Sequence, residues 1–120
     1  MRGKPITIFG DGKQVRDILY ISDLVKCFLK AIGKIDQTKG EVFNIGGGNR
    51  NTVSLLEFVR MLESKLKKKI PLRFKPWRPG DQKVYISDNS KARRTFSWAP
   101  KVDVPKGLNL LIRWLKTLET

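Results

Sequence analysis

The sequence predicts an α/β fold: a small mixed domain in which short strands alternate with three to four helices. Three observations carry that prediction. Short β-branched and aromatic runs, such as Ile6-Thr7-Ile8-Phe9 and Ile70 to Phe74, are bounded by glycine or polar turns. Between them, apolar residues recur at helical spacing, as in Leu55, Val59, Leu62 and Leu66. The alternation of the two patterns along the chain is that of an α/β domain. With 120 residues, the chain is long enough to bury a core without staples and short enough to make a single domain over 1–120 the expectation.

The elements follow in order. Pro5 to Phe9 reads as a first strand, ended by Gly10-Asp11-Gly12, and Asp17 to Ile21 as a second. Ser22 and Asp23 are N-cap candidates for a helix through Ile32, with Leu24, Val25, Phe28, Leu29 and Ile32 on one face and Gly33 as its stop. Cys27 reads as a small core or boundary residue of this helix. Lys34 to Gly40 reads as a polar linker and Glu41 to Ile45 as a third strand, broken by Gly46-Gly47-Gly48. Ser54 and Glu57 have the spacing of a capping box. Lys65, Lys67, Lys68 and Lys69 crowd the C-terminal end of the helix that follows, where its dipole favours cations. Ile70 to Phe74 is a fourth strand, Trp77 to Asp81 an irregular turn, and Lys83 to Ile86 a short extended piece. Ser90 caps a short helix through Arg94. Asp103 caps a last one, with Pro105 in its first turn and Leu108, Leu111, Ile112, Leu115 and Leu118 as its stripe.

Composition removes several function classes. The chain has no His and one Cys. Histidine acid–base catalysis, a zinc cluster, Cys-His nucleophilic chemistry and an intrachain disulfide are therefore excluded. No apolar run is long enough to cross a bilayer, so no membrane partner is expected. Met1 to Pro5 leads straight into the first strand without a signal peptide, and the expectation is a cytoplasmic protein. Lys and Arg number 25 against 11 Asp and Glu, a net charge of +14. That surplus attracts anions. Its densest stretch, Lys65 to Arg78, is interleaved with Phe74 and Trp77. It fits either a nucleic-acid platform or one strand's core face beside a wet helix end. The helix dipole accounts for the Lys run without nucleic acid, which weighs against that partner.

Three motifs have the composition of a small-anion site. Gly46 to Asn51 lies where dinucleotide folds place a phosphate loop, but Asn51 stands where the fingerprint needs its last glycine. A tight turn with close backbone approach is the alternative. Arg16 follows the sharp Gly10-Asp11-Gly12 loop; it could make a bidentate contact to phosphate or pair with Asp17. Arg78 and Asp81 flank the stiff Pro79-Gly80 pair, an arrangement open to a nucleotide's phosphate and sugar diol or to a plain charged turn.

Taken together and in this order, the motifs resemble the C-terminal, substrate-binding part of the extended short-chain dehydrogenase/reductase family, the NAD-dependent sugar-nucleotide epimerases and dehydratases. The segments that carry the resemblance are Ile6 to Gly12, Gln14 to Ile21, Val42 to Gly48, Arg78 to Asp81 with Tyr85, Asp88 to Lys91 and Phe96 to Pro100. Trp77 to Asp88 looks most like the CDP-paratose 2-epimerase group. The resemblance implies that Arg16 and Arg78 grip the diphosphate of a nucleotide sugar and Asp81 bonds its ribose. Tyr85 would support that pocket, and Thr7 and Phe9 would sit beside the base.

The family's Rossmann sheet, glycine-rich NAD loop and Tyr-x-x-x-Lys pair have no counterpart here: Tyr20 is followed four positions on by Leu24 and Tyr85 by Asn89. No residue is assigned to catalysis, to NAD or to a metal, and NAD is implied for the full-length family alone. The expectation is a truncated epimerase-type isomerase, inactive by itself. Val42, Phe43, Ile45, Phe28 and Leu29 would then be left as an exposed edge and apolar patch, leading to self-association or docking to a separate NAD-binding chain. Two alternatives stand beside this reading: a nucleic-acid module using Lys65 to Arg78, and a structural remnant without a ligand.

Overall fold

The structure is a computed structural model that describes residues 4–118. Met1 to Gly3, the lead-in to the first strand, lie outside the described residues. The described residues form two compact units, 4–16 with 53–85 and 17–52 with 86–118. Short strands and helices alternate as the α/β reading expects.

In the first unit, β1 (Ile6–Phe9) pairs in parallel with β4 (Leu72–Lys75), Ile6 opposite Leu72 and Phe9 opposite Lys75. A three-stranded sheet has β2 (Val15–Asp17) between β3 (Thr52–Ser54) and β5 (Val84–Tyr85). β2 and β5 are parallel, with Arg16 opposite Tyr85. The helix α3 (Leu55–Leu66) begins at the expected capping box: Ser54 Oγ accepts from Glu57 N, and the Glu57 carboxylate accepts from Ser54 N. A cap of this kind stabilises by about 1 kcal/mol. Val59, on its predicted apolar face, is buried. Lys67 takes a left-handed C-cap, and Glu63 accepts from the amide of Ile70 to turn the chain into β4.

The second unit is built on α1 (Ile21–Ile32), the short α2 (Ile35–Thr38), a 3-10 turn (Asn49–Asn51), α4 (Ser90–Phe96) and α5 (Val104–Leu118). Cys27, Ala92, Phe96 and Trp98 form its buried cluster, with Leu19, Ala31, Phe43 and Ile45 packed against it. Asp103 caps α5 as expected, its carboxylate accepting from Lys106 N.

Five expectations are corrected here. The second strand is Val15–Asp17, and the chain from Ile21 onward is already helical. Neither Ser22 nor Asp23 is the N-cap of α1; Tyr20 holds that position without a side-chain cap, because the Asp23 carboxylate is spent on the amides of Lys101 and Val102. The stretch read as a linker contains α2, whose first turn is closed by Lys39 N donating to the carbonyl of Ile35. Ser90 does not cap α4. It is the first helical residue, behind Asn89, and its amide donates to Asp88 Oδ1. Glu41 to Ile45 is not a strand. Its backbone runs without a ladder partner, and Phe43 turns onto Phe96 edge-to-face with ring centres 5.1 Å apart.

The apolar stripe of α1 faces outward, with Val25, Phe28, Leu29 and Ile32 exposed, while Asp23 and Cys27 make its buried side. Val42 is exposed as expected, whereas Phe43 and Ile45 are partly buried against the core.

Candidate functional site

All six predicted site residues belong to the first unit. The Gly10-Asp11-Gly12 loop that ends β1 is held from within. Gln14 Nε2 donates to the carbonyl of Phe9 (2.7 Å), Lys13 N donates to Asp11 Oδ1, and Leu56 N donates to the carbonyl of Gly12. Gly10 has φ +92°, and a side chain there would collide with the indole of Trp77. The loop therefore returns the chain into β2 with Arg16 fixed near the strand's end.

Arg16 is half-buried. Its Nη1 donates to the carbonyl of Val15 and its Nη2 to the carbonyl of Gln82, both at 2.7 Å. Arg78 makes a bidentate pair with Asp81, Nε to Oδ2 at 3.0 Å and Nη2 to Oδ1 at 3.1 Å, and its own amide also bonds that carboxylate. The Arg78 guanidinium lies over the Phe9 ring, 4.7 Å from its centre. Hydrogen bonding to Arg78 holds the Asp81 carboxyl below its usual value, and the charges of Arg78 and Arg16 add to that effect. Both arginines thus act on one carboxylate.

The structure brings Arg78, Asp81 and Phe9 into contact, lets the charge of Arg16 act on Asp81, and places Tyr85 beside Arg16 through strand register. Thr7 shares a strand face with Phe9 by alternation, without bonding to either arginine. Opposite Thr7 and Phe9 in register stand Arg73 and Lys75, which extend the basic face. The sequence places these two within the Lys65 to Arg78 run but does not show which face they join. Sequence reasoning misses Gln82 altogether, because its contribution is a backbone carbonyl that no side-chain pattern discloses.

The glycine triplet in the second unit is occupied by its own chain. Gly46 N–H donates to Asn89 Oδ1 at 3.0 Å and Gly48 N–H to Asp17 Oδ2 at 2.8 Å. Burial pushes the Asp17 carboxyl up, but bonds from the amides of Gly48 and Ser87 outweigh it and hold it below the usual value. These residues do not fit a dinucleotide's pyrophosphate, because the Gly46 and Gly48 amides that would cradle it are already bonded. The close-approach reading fits: a side chain on Gly47 would strike the carbonyl of Ile18. Asp17 is thereby a structural anchor, and Arg16 contacts the carbonyls of Val15 and Gln82.

The alternation of short strands and helices, with the parallel pairs β1–β4 and β2–β5, is that of an α/β domain. The profile of the GDP-mannose 4,6 dehydratase family matches residues 1–111, and the chain belongs to that family. CDP-paratose 2-epimerase of Salmonella typhi is 37% identical over 117 residues, which is 96% of this chain and 34% of that protein. UDP-glucuronate 4-epimerase of Thermodesulfobacterium geofontis is 34% identical over 113 residues, 94% of this chain and 34% of that protein. The structure of UDP-glucuronic acid 4-epimerase from Bacillus cereus, in complex with UDP-glucuronic acid and NAD, superposes with a TM-score of 0.85 at 36% identity. The match covers 97% of this chain and 36% of that one. The chain spans about a third of the length of the relatives it matches. Among the described residues no helix is long and apolar enough to cross a membrane.

Proposed function

We propose that this chain is the substrate-binding domain of an NAD-dependent sugar-nucleotide epimerase and that its first unit holds the nucleotide diphosphate. The observation that carries this reading is the convergence of Arg16 and Arg78 on Asp81. That carboxylate is an internal anion, paired bidentately with Arg78 and also under the charge of Arg16. A diphosphate offers more oxygens in bidentate geometry than one carboxylate does, so it competes for the free edges of both arginines. Asp81, relieved of part of its pairing, then accepts from a ribose hydroxyl. Phe9 and Thr7 flank the base, and Tyr85 lines the pocket beside Arg16.

The catalytic step belongs elsewhere in such an enzyme. Neither tyrosine in this sequence has a lysine four positions on, so the Tyr-x-x-x-Lys pair that would carry proton transfer is not among these residues. The chain by itself binds substrate and turns nothing over. NAD, which the Bacillus cereus relative contains, is held by residues outside this sequence.

Calorimetric titration with CDP-, UDP- and dTDP-sugars tests the reading. Binding is expected, and each of R16A and R78A weakens it by about tenfold or more, as for loss of a charged hydrogen bond. Unchanged affinity in the double variant would sink the assignment. Binding of an oligonucleotide that instead tracks the Lys65 to Lys69 run and falls steeply with salt would favour the nucleic-acid module.

The exposed stripe of α1 supports a second part of the same reading, association with another copy or with an NAD-binding chain. Phe28 is 61% exposed, Leu29 64% and Ile32 65%. An apolar helix face this open is a contact surface in most soluble proteins. Light scattering is expected to give a mass above 13.8 kDa that V25E/L29E returns to the monomer. A monomer at millimolar concentration without any substitution would count against it.

A further inference from the structure

The second unit carries a basic cavity that the reading above does not use. Its volume is about 710 Å³, within the range of small-molecule sites. Arg50, Arg93 and Arg94 line it, together with Asp88, Asn89 and the buried Asn51. Three of the chain's arginines are there and none of its lysines. That choice matters, because the planar guanidinium fork matches phosphate bidentately and an ammonium does not.

The three guanidinium groups are not used up by the chain itself. Among the described residues none of them donates a side-chain hydrogen bond or enters a salt bridge. The other basic cavity, at the end of α3, differs: there Glu63 already takes Lys69 and the amide of Ile70. Three like charges around one cavity repel one another, and Asp88 is the only acid among the residues that line it. The Asp88 carboxyl is held below its usual value by bonds from Ser90, and the charge of Arg94 adds to that effect. One carboxylate leaves the cavity with a cationic surplus.

The floor of the cavity is fixed. Asn51 Nδ2 donates to the carbonyls of Gly47 and Val102, both at 3.3 Å. Asn89 bonds both the N–H and the carbonyl of Gly46. Loop and rim are thereby held without a ligand, so little ordering remains to be done on binding.

We propose that this cavity binds a phosphate-bearing small molecule through Arg50, Arg93 and Arg94, separately from the diphosphate site of the first unit. The arginines take the phosphate oxygens, and Asp88 with the side-chain amide of Asn49 meets hydroxyl groups of the same ligand. The amides of Gly46 and Gly48 play no part, since Asn89 and Asp17 hold them.

Inorganic pyrophosphate is the probe, titrated into the full chain carrying R16A/R78A so that the first site is silent. One binding event is expected, and R50Q/R93Q/R94Q on that background weakens it at least tenfold. The three side chains are exposed, so the variant keeps its fold, checked by an unchanged thermal melt. Amide shifts in the R16A/R78A protein are expected at Gly48, Asn49 and Asn89, a readout that leaves the three arginines in place. No pyrophosphate binding to R16A/R78A, or binding that survives the three added substitutions, overturns the proposal. A single-stranded oligonucleotide that displaces pyrophosphate and loses affinity with the same arginines would replace a small ligand with nucleic acid. Sugar 1-phosphates, titrated alongside, are expected to bind more tightly than free phosphate; equal affinity would overturn the hydroxyl contacts.

Discussion

Asp23→Ala is expected to cost about 3–5 kcal/mol and to lower the melting temperature by about 15 °C or more. Asp23 is 1% exposed, the most fully buried large side chain among the described residues. Its Oδ2 accepts from Lys101 N at 2.8 Å and from Val102 N at 2.7 Å, while its own carbonyl accepts from Trp98 Nε1 at 2.9 Å. One residue of α1 therefore fastens the segment that carries Trp98 into the core and delivers the chain to the start of α5. Alanine leaves two amides facing a cavity they cannot hydrate, each worth about 1–3 kcal/mol when orphaned. Against a total stability of about 5–15 kcal/mol, that is a large share. Asp23→Asn keeps an acceptor oxygen and is expected to lose less than Asp23→Ala. Urea melts followed by circular dichroism measure both, and a loss below about 1 kcal/mol for the alanine variant would show that the two amides find other partners.

Asp23 also shows where sequence reading stops. Its position before an apolar run, next to Ser22, is that of an N-cap, and local chemistry alone makes the cap the better use of the carboxylate. The use it has depends on Lys101 and Val102, which are 78 and 79 residues away. The same limit explains the Glu41 to Ile45 segment. Its residues are those of a strand, but strand formation needs a neighbour to pair with, and here the side chains of Phe43 and Ile45 pack on the helical core instead. Where the signal is local it is legible. The Ser54–Glu57 box and the Asp103 cap each join residues three positions apart, and both stand as expected. Of the candidate site, the residue types are readable from Gly10 to Arg16 and from Arg78 to Asp81, and so is the family. The stacking of the Arg78 guanidinium on the ring of Phe9, and the hold of the Gln82 carbonyl on Arg16, rest on long-range contacts that spacing does not encode.

Gly47→Ala is the second substitution with a large expected effect, about 3 kcal/mol or more. The cause is space. A Cβ on Gly47 would overlap the carbonyl oxygen of Ile18 and lie 2.7 and 2.8 Å from its carbonyl carbon and nitrogen. All three atoms are backbone, so no rotamer change relieves the clash; the two stretches of chain must part. Parting them strains two bonds at once, from Ile18 N to the Asn51 carbonyl (2.9 Å) and from Asn51 Nδ2 to the Gly47 carbonyl. Gly46→Ala meets Ser87 Oγ, which can rotate, but also Asp17 Oδ2, which cannot move without releasing the amides of Gly48 and Ser87. Gly40→Ala separates crowding from backbone preference. Gly40 has φ +73°, and a methyl group there would meet nothing within 4 Å. Its cost is therefore the left-handed conformation alone, about 1–2 kcal/mol. Thermal melts of the Gly47 and Gly40 alanine variants are expected to differ by at least about 1 kcal/mol, with Gly47→Ala the less stable. Equal melts would mean that the Gly47 and Ile18 backbones separate at little cost, and the triplet would then be a hinge instead of a packed joint.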